Sequence, residues 1–208
     1  MARDFPESAI VLAGGPSKRM GRSKAALPFG ASTLLGRIVD ELSRGFREVV
    51  VVAAPVEVEQ LPIEFHGVTV VRDKAVQRGP VAALARGLES IEGDTTFACS
   101  CDLPMLRVDV ALALAGMLDD YDAVIPEVGM VLQPLHSVYR KECLDELRAL
   151  EREGEARLVE LIGRINARVV VEEELRELDR DLLSFFSIDT PADYGRALEL
   201  SKDPFGGG

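Results

Sequence analysis

A loop near the N-terminus carries the strongest chemical signal in the chain. It reads LAGGPSKRMGRSK, from Leu12 to Lys24, and follows a short apolar run. Glycines after a strand let the backbone approach a ligand closely, and they leave amide groups facing anionic oxygens. Arg19 can bind phosphate oxygens with its fork of donors, and Lys24 adds a compact positive charge. The segment therefore predicts a site for a small anionic ligand; the alternative is a solvated basic loop.

The glycine spacing of this loop excludes two familiar phosphate-binding templates. A dinucleotide-binding fingerprint needs G-x-G-x-x-G, whereas the chain reads GGPSKRMG. A Walker loop needs four residues between its glycines and then a lysine. Here Gly15 and Gly21 enclose five residues, and Arg22 follows. A triphosphate carries roughly four negative charges, so the cations of this loop need a metal ion beside them to bind such a ligand.

Asp102 is the first candidate ligand for such a metal ion. It directly follows the apolar run TTFACSC, and Leu103 and Pro104 come after it. A carboxylate at the end of a buried strand, close to a loop that collects phosphates, is a hard oxygen ligand of the kind that Mg²⁺ prefers in phosphoryl-transfer sites. The alternative interpretation is an aspartate that caps a helix or closes a turn.

Two further aspartates follow predicted strands. Asp189, in SIDTPADY, is a second candidate metal ligand, although Thr190 and Pro191 predict a helix start at which capping is the simpler role. Asp73, in VVRDK, could hold a ribose hydroxyl or position a second substrate. An ion pair with its basic neighbours is the equally simple alternative for Asp73.

Three other positions are weaker candidates. Gly79 and Pro80 begin a predicted helix, whose free amide groups could meet a base or a ribose. Gln133, in QPLHSVY, carries an amide that could read a polar heterocycle. His136 follows in the same run, and a packed or surface histidine is the favoured interpretation there.

The predicted elements would bring three candidates to one edge of a sheet, namely the loop at Gly14 and Gly15, the loop from Asp73, and Asp102. Apolar runs alternate with segments of helical spacing, and an unbroken run such as EVVVVAA is typical of a strand covered on both faces. The predicted strands cover residues 8–13, 48–54, 67–72, 95–101, 122–126, 133–139, 167–171 and 184–188. The predicted helices cover residues 33–44, 81–91, 108–118, 141–153, 157–165 and 190–200. This order predicts a doubly wound, mostly parallel, Rossmann-like α/β sheet with helices on both faces, which binds ligands at the carboxyl ends of its strands.

Composition limits the classes of function. The chain has 208 residues and a formal net charge of −11, so it should repel nucleic acid and anionic membrane surfaces. Its three cysteines and the lack of a secretory signal indicate a reducing, cytoplasmic environment without a disulfide framework. We expect a single domain over residues 1–203 and a flexible tail at residues 204–208.

Several motifs together resemble the molybdenum cofactor guanylyltransferases. The segments LAGGPSKRMGRSKAALPFG, RGPVAAL, CDLP, QPLHSVY and SIDTPADY occur in the same order as in that family. The resemblance implies transfer of GMP from GTP to molybdopterin, with Mg²⁺ as cofactor and release of pyrophosphate. It also implies a role for each matching residue. The implied nucleotide-binding residues are Leu12, Ala13, Gly14, Gly15, Arg19, Lys24, Asp73, Gly79, Pro80 and Asp102. The implied acceptor-facing residues are Gln133 and Arg157, the latter in the loop that begins at Gly154.

The chemistry implied by this resemblance needs no covalent intermediate. A substrate phosphate oxygen would attack the α-phosphorus of GTP, with Arg19, Lys24 and the metal ion on Asp102 stabilising the charge. A cytidylyltransferase or another small-molecule-phosphate nucleotidyltransferase is the alternative within enzymes, because Asp189 is more typical of the CTP branch. A nucleotide-sensing module is the alternative outside enzymes. We expect a monomer, with other cofactor-biosynthesis proteins or molybdoenzymes as candidate partners.

Overall fold

A mixed β-sheet organises the part of the chain that the computed structural model describes, namely residues 8–14, 23–53, 68–72 and 79–202. The strands are β1 Ser8–Ala13, β2 Pro28–Phe29, β3 Ser32–Thr33, β4 Glu48–Ala53, β5 Val68–Arg72, β6 Thr95–Ser100, β7 Ala123–Val128, β8 Val131–Leu132, β9 His136–Arg140 and β10 Ala167–Val170. The helices are α1 Leu34–Leu42, α2 Gly79–Ser90, α3 Val108–Ala115, α4 Cys143–Glu153, α5 Val159–Ile162, α6 Glu172–Leu178 and α7 Pro191–Leu200. Two 3₁₀ turns cover Lys24–Ala26 and Leu183–Phe185.

The strand order of the main sheet is β10-β7-β9-β6-β1-β4-β5, with β8 paired to β7. Pairs β1–β4, β1–β6, β4–β5 and β7–β10 are parallel. Strand β9 is the exception in the middle of the sheet, because it runs antiparallel to both β6 and β7. The prediction of a mostly parallel α/β fold is confirmed. Since β9 enters where β6 ends, the turn before β9 joins the carboxyl edge of the parallel strands.

Both faces of the sheet are covered, as the unbroken apolar runs predict. Along β1 the residues alternate between two cores, with Val11 in the core beneath α1 and α3 and Ile10 in the core beneath α2 and α4. Neither side chain is exposed to solvent. Two-sided burial is the physical reason that the strand is apolar at every position instead of at alternate ones. The doubly wound arrangement follows directly from this pattern.

The predicted strand at 184–188 is wrong. The segment forms the 3₁₀ turn Leu183–Phe185 followed by extended chain. The buried Asp179 carboxylate accepts a hydrogen bond of 2.7 Å from the Ser184 amide, and Leu182 adopts a left-handed conformation with φ of 53°. A turn of this kind depends on a side-chain acceptor, which the apolar pattern of the segment does not reveal.

Other boundaries differ by a few residues. Helix α3 ends at Ala115 instead of Leu118, and strand β9 begins at His136 instead of Gln133. Helix α6 was not predicted, because its acidic sequence EEELREL has only Leu175 buried. Among the described residues, no helix combines the length and the apolar character that crossing a membrane requires. The predicted tail at 204–208 lies outside the described residues.

Candidate functional site

The ends of β1 and β6 form the floor of the candidate site. These parallel neighbours are in register, with Leu12 opposite Ser100, and the Cys101 amide donates a 3.1 Å hydrogen bond to the Leu12 carbonyl. The side chains of Leu12 and Ala13 are buried in the two cores, so only their backbone faces the edge. Gly14, at the end of β1, and Asp102, after β6, therefore follow strand ends that lie side by side.

Lys24 connects two carboxylates at this edge. Its Nζ donates to Asp102 Oδ2 at 2.9 Å and to Asp189 Oδ1 at 3.0 Å. The side chains of Lys24 and Asp102 are only 19% and 20% exposed, whereas Asp189 is 63% exposed. Three segments far apart in the chain thus place one cation and two anions in contact.

The electrostatics of Lys24 follow from these contacts. Partial burial disfavours the charged ammonium, but the hydrogen bonds and negative charges of Asp102 and then Asp189 outweigh it and raise the pKa of Lys24 above its usual value. The ammonium is therefore charged at every pH near neutrality, and it supplies a permanent cation to the site.

Asp102 is held on both sides. Its Oδ1 accepts a short hydrogen bond from Ser100 Oγ, which leaves Oδ2 directed at Lys24. Its carbonyl oxygen accepts a 2.9 Å hydrogen bond from the Ile188 amide. The next helix, α3, has Arg107 at its N-cap, so the capping interpretation of Asp102 does not apply to that helix.

Asp189 sits just outside a capped helix. Thr190 is the N-cap of α7, its hydroxyl accepts from the Asp193 amide, and the Asp193 carboxylate accepts from the Thr190 amide at 2.8 Å. The reciprocal capping box accounts for Thr190 and Asp193. The Asp189 carboxylate instead contacts Lys24 and the hydroxyl of Ser187, the latter at 3.3 Å.

The carboxylates suit a hard divalent cation. The described residues contain no group of three histidine, cysteine, aspartate or glutamate side chains placed to hold a metal ion. Mg²⁺ does not need one, since it is commonly bound by one or two carboxylates together with substrate phosphates and water. Asp102 and Asp189, whose oxygens converge on one cation, fit that pattern.

A second region begins where α2 starts. Gly79 has φ of +78°, and a side chain there would place its Cβ 2.7 Å from the Cβ of Ala156. Arg157, the residue after Ala156, forms ion pairs with Glu155 at 3.1 Å and with Glu160 at 2.9 Å, and its side chain is 68% exposed. The structure thus brings the start of α2 against the loop that includes Arg157, because only a glycine permits this approach.

Gln133 lies in the turn before β9. Its side-chain amide donates to the Val131 carbonyl at 3.1 Å. The backbone carbonyl of Gln133 accepts from Ser137 Oγ at 2.6 Å. The same turn reaches the carboxyl edge, since the Ser100 amide donates to the Leu135 carbonyl at 3.3 Å. Gln133 is therefore close in the fold to the strand that delivers Asp102.

Some predicted residues cannot be located. Gly15, Arg19 and Asp73 lie outside the described residues, so their roles stay predictions. Gly14 is described and exposed at the end of β1. Sequence reasoning missed Ser100, although a hydroxyl two residues before a strand-ending aspartate is the available signal.

His136 is packed in the core. It is 1% exposed, its ring lies 5.1 Å from the Phe97 ring and 4.2 Å from the Phe185 ring, and neither ring nitrogen has a hydrogen-bond partner among the described residues. Burial lowers the pKa of His136 to about 3. A neutral, enclosed imidazole is unsuited to proton transfer with a ligand, in line with the prediction that His136 is a packed histidine.

Comparison with known proteins extends over almost the whole chain. Residues 9–169 match the family model of the MobA-like NTP transferase domain. A probable molybdenum cofactor guanylyltransferase from Methanosarcina mazei is 31% identical, over 96% of this chain and 93% of its own, and one from Pelotomaculum thermopropionicum is 29% identical over 94% of both. The crystal structure of molybdopterin-guanine dinucleotide biosynthesis protein A from Archaeoglobus fulgidus has a TM-score of 0.82 at 25% identity, over 94% of this chain and 99% of that one.

Proposed function

Because the chain belongs to the MobA-like NTP transferase family and is a nucleotidyltransferase, we propose that it transfers GMP from GTP to molybdopterin with the help of Mg²⁺. The observation that carries the proposal is the contact of Lys24 with both Asp102 and Asp189 at the carboxyl edge of the sheet. This contact supports a site that would combine a phosphate-binding cation with a pair of metal ligands.

The two aspartates would hold Mg²⁺ against the α-phosphate. Bound there, the ion would neutralise charge on the phosphate oxygens and on the leaving pyrophosphate. Asp102 supplies the rigid ligand, since Ser100 and Ile188 fix its side chain and backbone. Asp189 supplies the more exposed ligand, at the start of a helix whose capping is complete without it.

The reaction is a direct displacement at phosphorus. An oxygen of the acceptor phosphate forms a bond to the α-phosphorus, the bond from that phosphorus to the bridging oxygen breaks, and pyrophosphate leaves with the electron pair. Because the nucleophile is already an anion, no general base is required. The task of Lys24 and Arg19 is to hold the triphosphate and to lower the repulsion between two anions.

The second region contains the proposed acceptor loop beside a proposed nucleotide contact. Gly79 and Pro80 open α2 next to Ala156, and Arg157 follows in the same loop. We assign Arg157 and Gln133 to contacts with molybdopterin, and Asp73 to the nucleoside. Gly79 and Pro80 are assigned to the nucleotide, so the close approach of Gly79 to Ala156 would put the acceptor loop beside the nucleoside.

GTP is the nucleotide that the relatives favour. Those from Methanosarcina mazei and Pelotomaculum thermopropionicum are both named guanylyltransferases. The double glycine of LAGG also resembles the pattern of the GTP-using members of the family. Asp189 is the feature that favours CTP, and the relatives outweigh it.

Thermal unfolding with each nucleotide tests the choice. A ligand that binds only the folded state at 100 times its dissociation constant stabilises it by about 2.7 kcal/mol. We expect GTP with Mg²⁺ to raise the melting temperature more than CTP, UTP or ATP, and molybdopterin then to trigger pyrophosphate release. Stabilisation by CTP instead would identify a cytidylyltransferase. Stabilisation by GTP without pyrophosphate release in the presence of molybdopterin would identify a nucleotide sensor.

A further inference from the structure

We propose that the Lys24 ammonium takes the place of the metal ion between Asp102 and Asp189 until nucleotide binds, so that metal and nucleotide bind cooperatively. The inference deepens the proposed function and rests on its assignment of the two aspartates as metal ligands. It adds that Lys24 has two alternative partners, the carboxylates and the triphosphate.

The geometry makes the two cations mutually exclusive. Lys24 Nζ lies 2.9 Å from Asp102 Oδ2 and 3.0 Å from Asp189 Oδ1, so it fills the gap between the two carboxylates. Mg²⁺ binds oxygen at about 2.0–2.1 Å and would use the same gap. Two cations at such a short separation repel strongly in a half-buried site. One of them must leave before the other is bound.

The Asp102 carboxylate needs a cation at all times. Asp102 is only 20% exposed, and its Oδ1 is already engaged by Ser100, so Oδ2 depends on a positive partner. Leaving one member of a partly buried pair without its partner is costly. In the structure Lys24 meets this need, and it thereby keeps the carboxylates close enough together to accept a metal ion later.

Lys24 can be drawn away without disturbing the core. Its 3₁₀ turn is secured by Ala25, which is 1% exposed, while the lysine side chain itself reaches the surface. The four-carbon stem of lysine is flexible, and its ammonium is a compact charge that suits phosphate oxygens. A triphosphate arriving at the neighbouring glycine loop would therefore attract Lys24 and release the carboxylates to the metal ion that accompanies it.

Coupling of this kind is reciprocal. If nucleotide removes the competitor of the metal ion, nucleotide must tighten metal binding by the same factor by which metal tightens nucleotide binding. Wild-type protein without nucleotide should then bind the metal ion weakly. Removing the lysine ammonium should restore tight binding without any nucleotide.

Titration of the nucleotide-free full chain with Mn²⁺, followed by the electron paramagnetic resonance signal of the free ion, tests the inference. We expect Lys24→Met to bind Mn²⁺ about tenfold or more tightly than the wild type, within the usual range of coupling factors. Lys202→Met is the matched control, since it removes the same charge at an exposed position beyond the end of α7. It should leave the affinity unchanged. Lys24→Gln repeats the test should Lys24→Met fail to fold.

The outcomes separate this inference from the proposed function. If wild type and Lys24→Met bind Mn²⁺ with equal affinity and Asp102→Asn does not bind it, the proposed competition is wrong and the metal site stands. Weaker binding in Lys24→Met would also overturn it, because the lysine would then support the metal site. If Mn²⁺ binding is unaffected by Asp102→Asn in every background, the metal assignment itself is wrong.

Discussion

Two clusters in this protein each place one cation between two carboxylates, yet they differ in origin and strength. Lys24 joins Asp102 and Asp189 from distant segments, and the side chains of Lys24 and Asp102 are largely buried. Arg157 joins Glu155 and Glu160, which are near neighbours in the chain. Arg157 is 68% exposed, and solvent screens its pairs. The same charge pattern therefore forms a largely buried cluster in one place and a solvent-exposed network in the other.

The largest expected effect is that of Asp102→Asn. Loss of the rigid carboxylate should lower kcat by about 10³-fold or more, the upper range for one electrostatic group in a site. Steady-state pyrophosphate release at saturating GTP, Mg²⁺ and molybdopterin measures it. Asp40→Asn is the control, because it removes an exposed aspartate of α1. Unchanged kcat in Asp102→Asn would show that the Asp102 carboxylate is not needed for the reaction.

Asp189→Asn should have a smaller effect. Its carboxylate is 63% exposed, and an amide oxygen can still face a metal ion, so we expect about a tenfold loss of kcat. The Mg²⁺ concentration needed for half-maximal rate should rise in the same variant. A loss as large as that of Asp102→Asn would mean that burial does not decide the contribution of the two ligands.

His136 sharpens the comparison, since it is a buried titratable group without an ionic partner among the described residues. Burial lowers its pKa to about 3, so below the ordinary histidine pKa of 6.5 the unfolded state binds a proton that the folded state does not. Stability should therefore fall by about 1.4 kcal/mol per pH unit as the pH decreases from about 6 toward 3.

Urea unfolding of the wild type and His136→Leu between pH 7.5 and 5.5 isolates this contribution. The wild type should lose about 1.4 kcal/mol more than the variant across the interval, because only the wild type has the histidine proton to gain on unfolding. Parallel pH profiles for the two proteins would show that the imidazole titrates normally in the fold.

Arg157→Ala should have the smallest effect on stability. Exposed ion pairs contribute little to stability, so we expect the urea concentration at half-unfolding to stay within error of the wild type. The KM for molybdopterin should nevertheless rise if the proposed acceptor contact is correct. A clearly lower urea midpoint would contradict the contrast between the two clusters.

Much of this molecule could be predicted from short stretches of sequence. The two-sided burial of β1 and β4 is visible in their unbroken apolar runs, and the Thr190–Asp193 capping box is visible in SIDTPADY. The mostly parallel α/β architecture and the family follow from the order of such segments. The 3₁₀ turn at Leu183–Phe185 could not be predicted, because it depends on the buried Asp179 carboxylate and on a left-handed backbone at Leu182.

The sequence by itself determined which residue types are available for phosphate and metal binding, since glycines, cations and carboxylates have the same chemistry wherever they lie. Only the tertiary structure decided that Lys24 contacts Asp102, 78 residues away, and Asp189, 165 residues away. The physical reason is that local propensity acts over a few residues, whereas these three side chains meet through the register of β1 with β6 and the backbone hydrogen bond from Ile188 to Asp102.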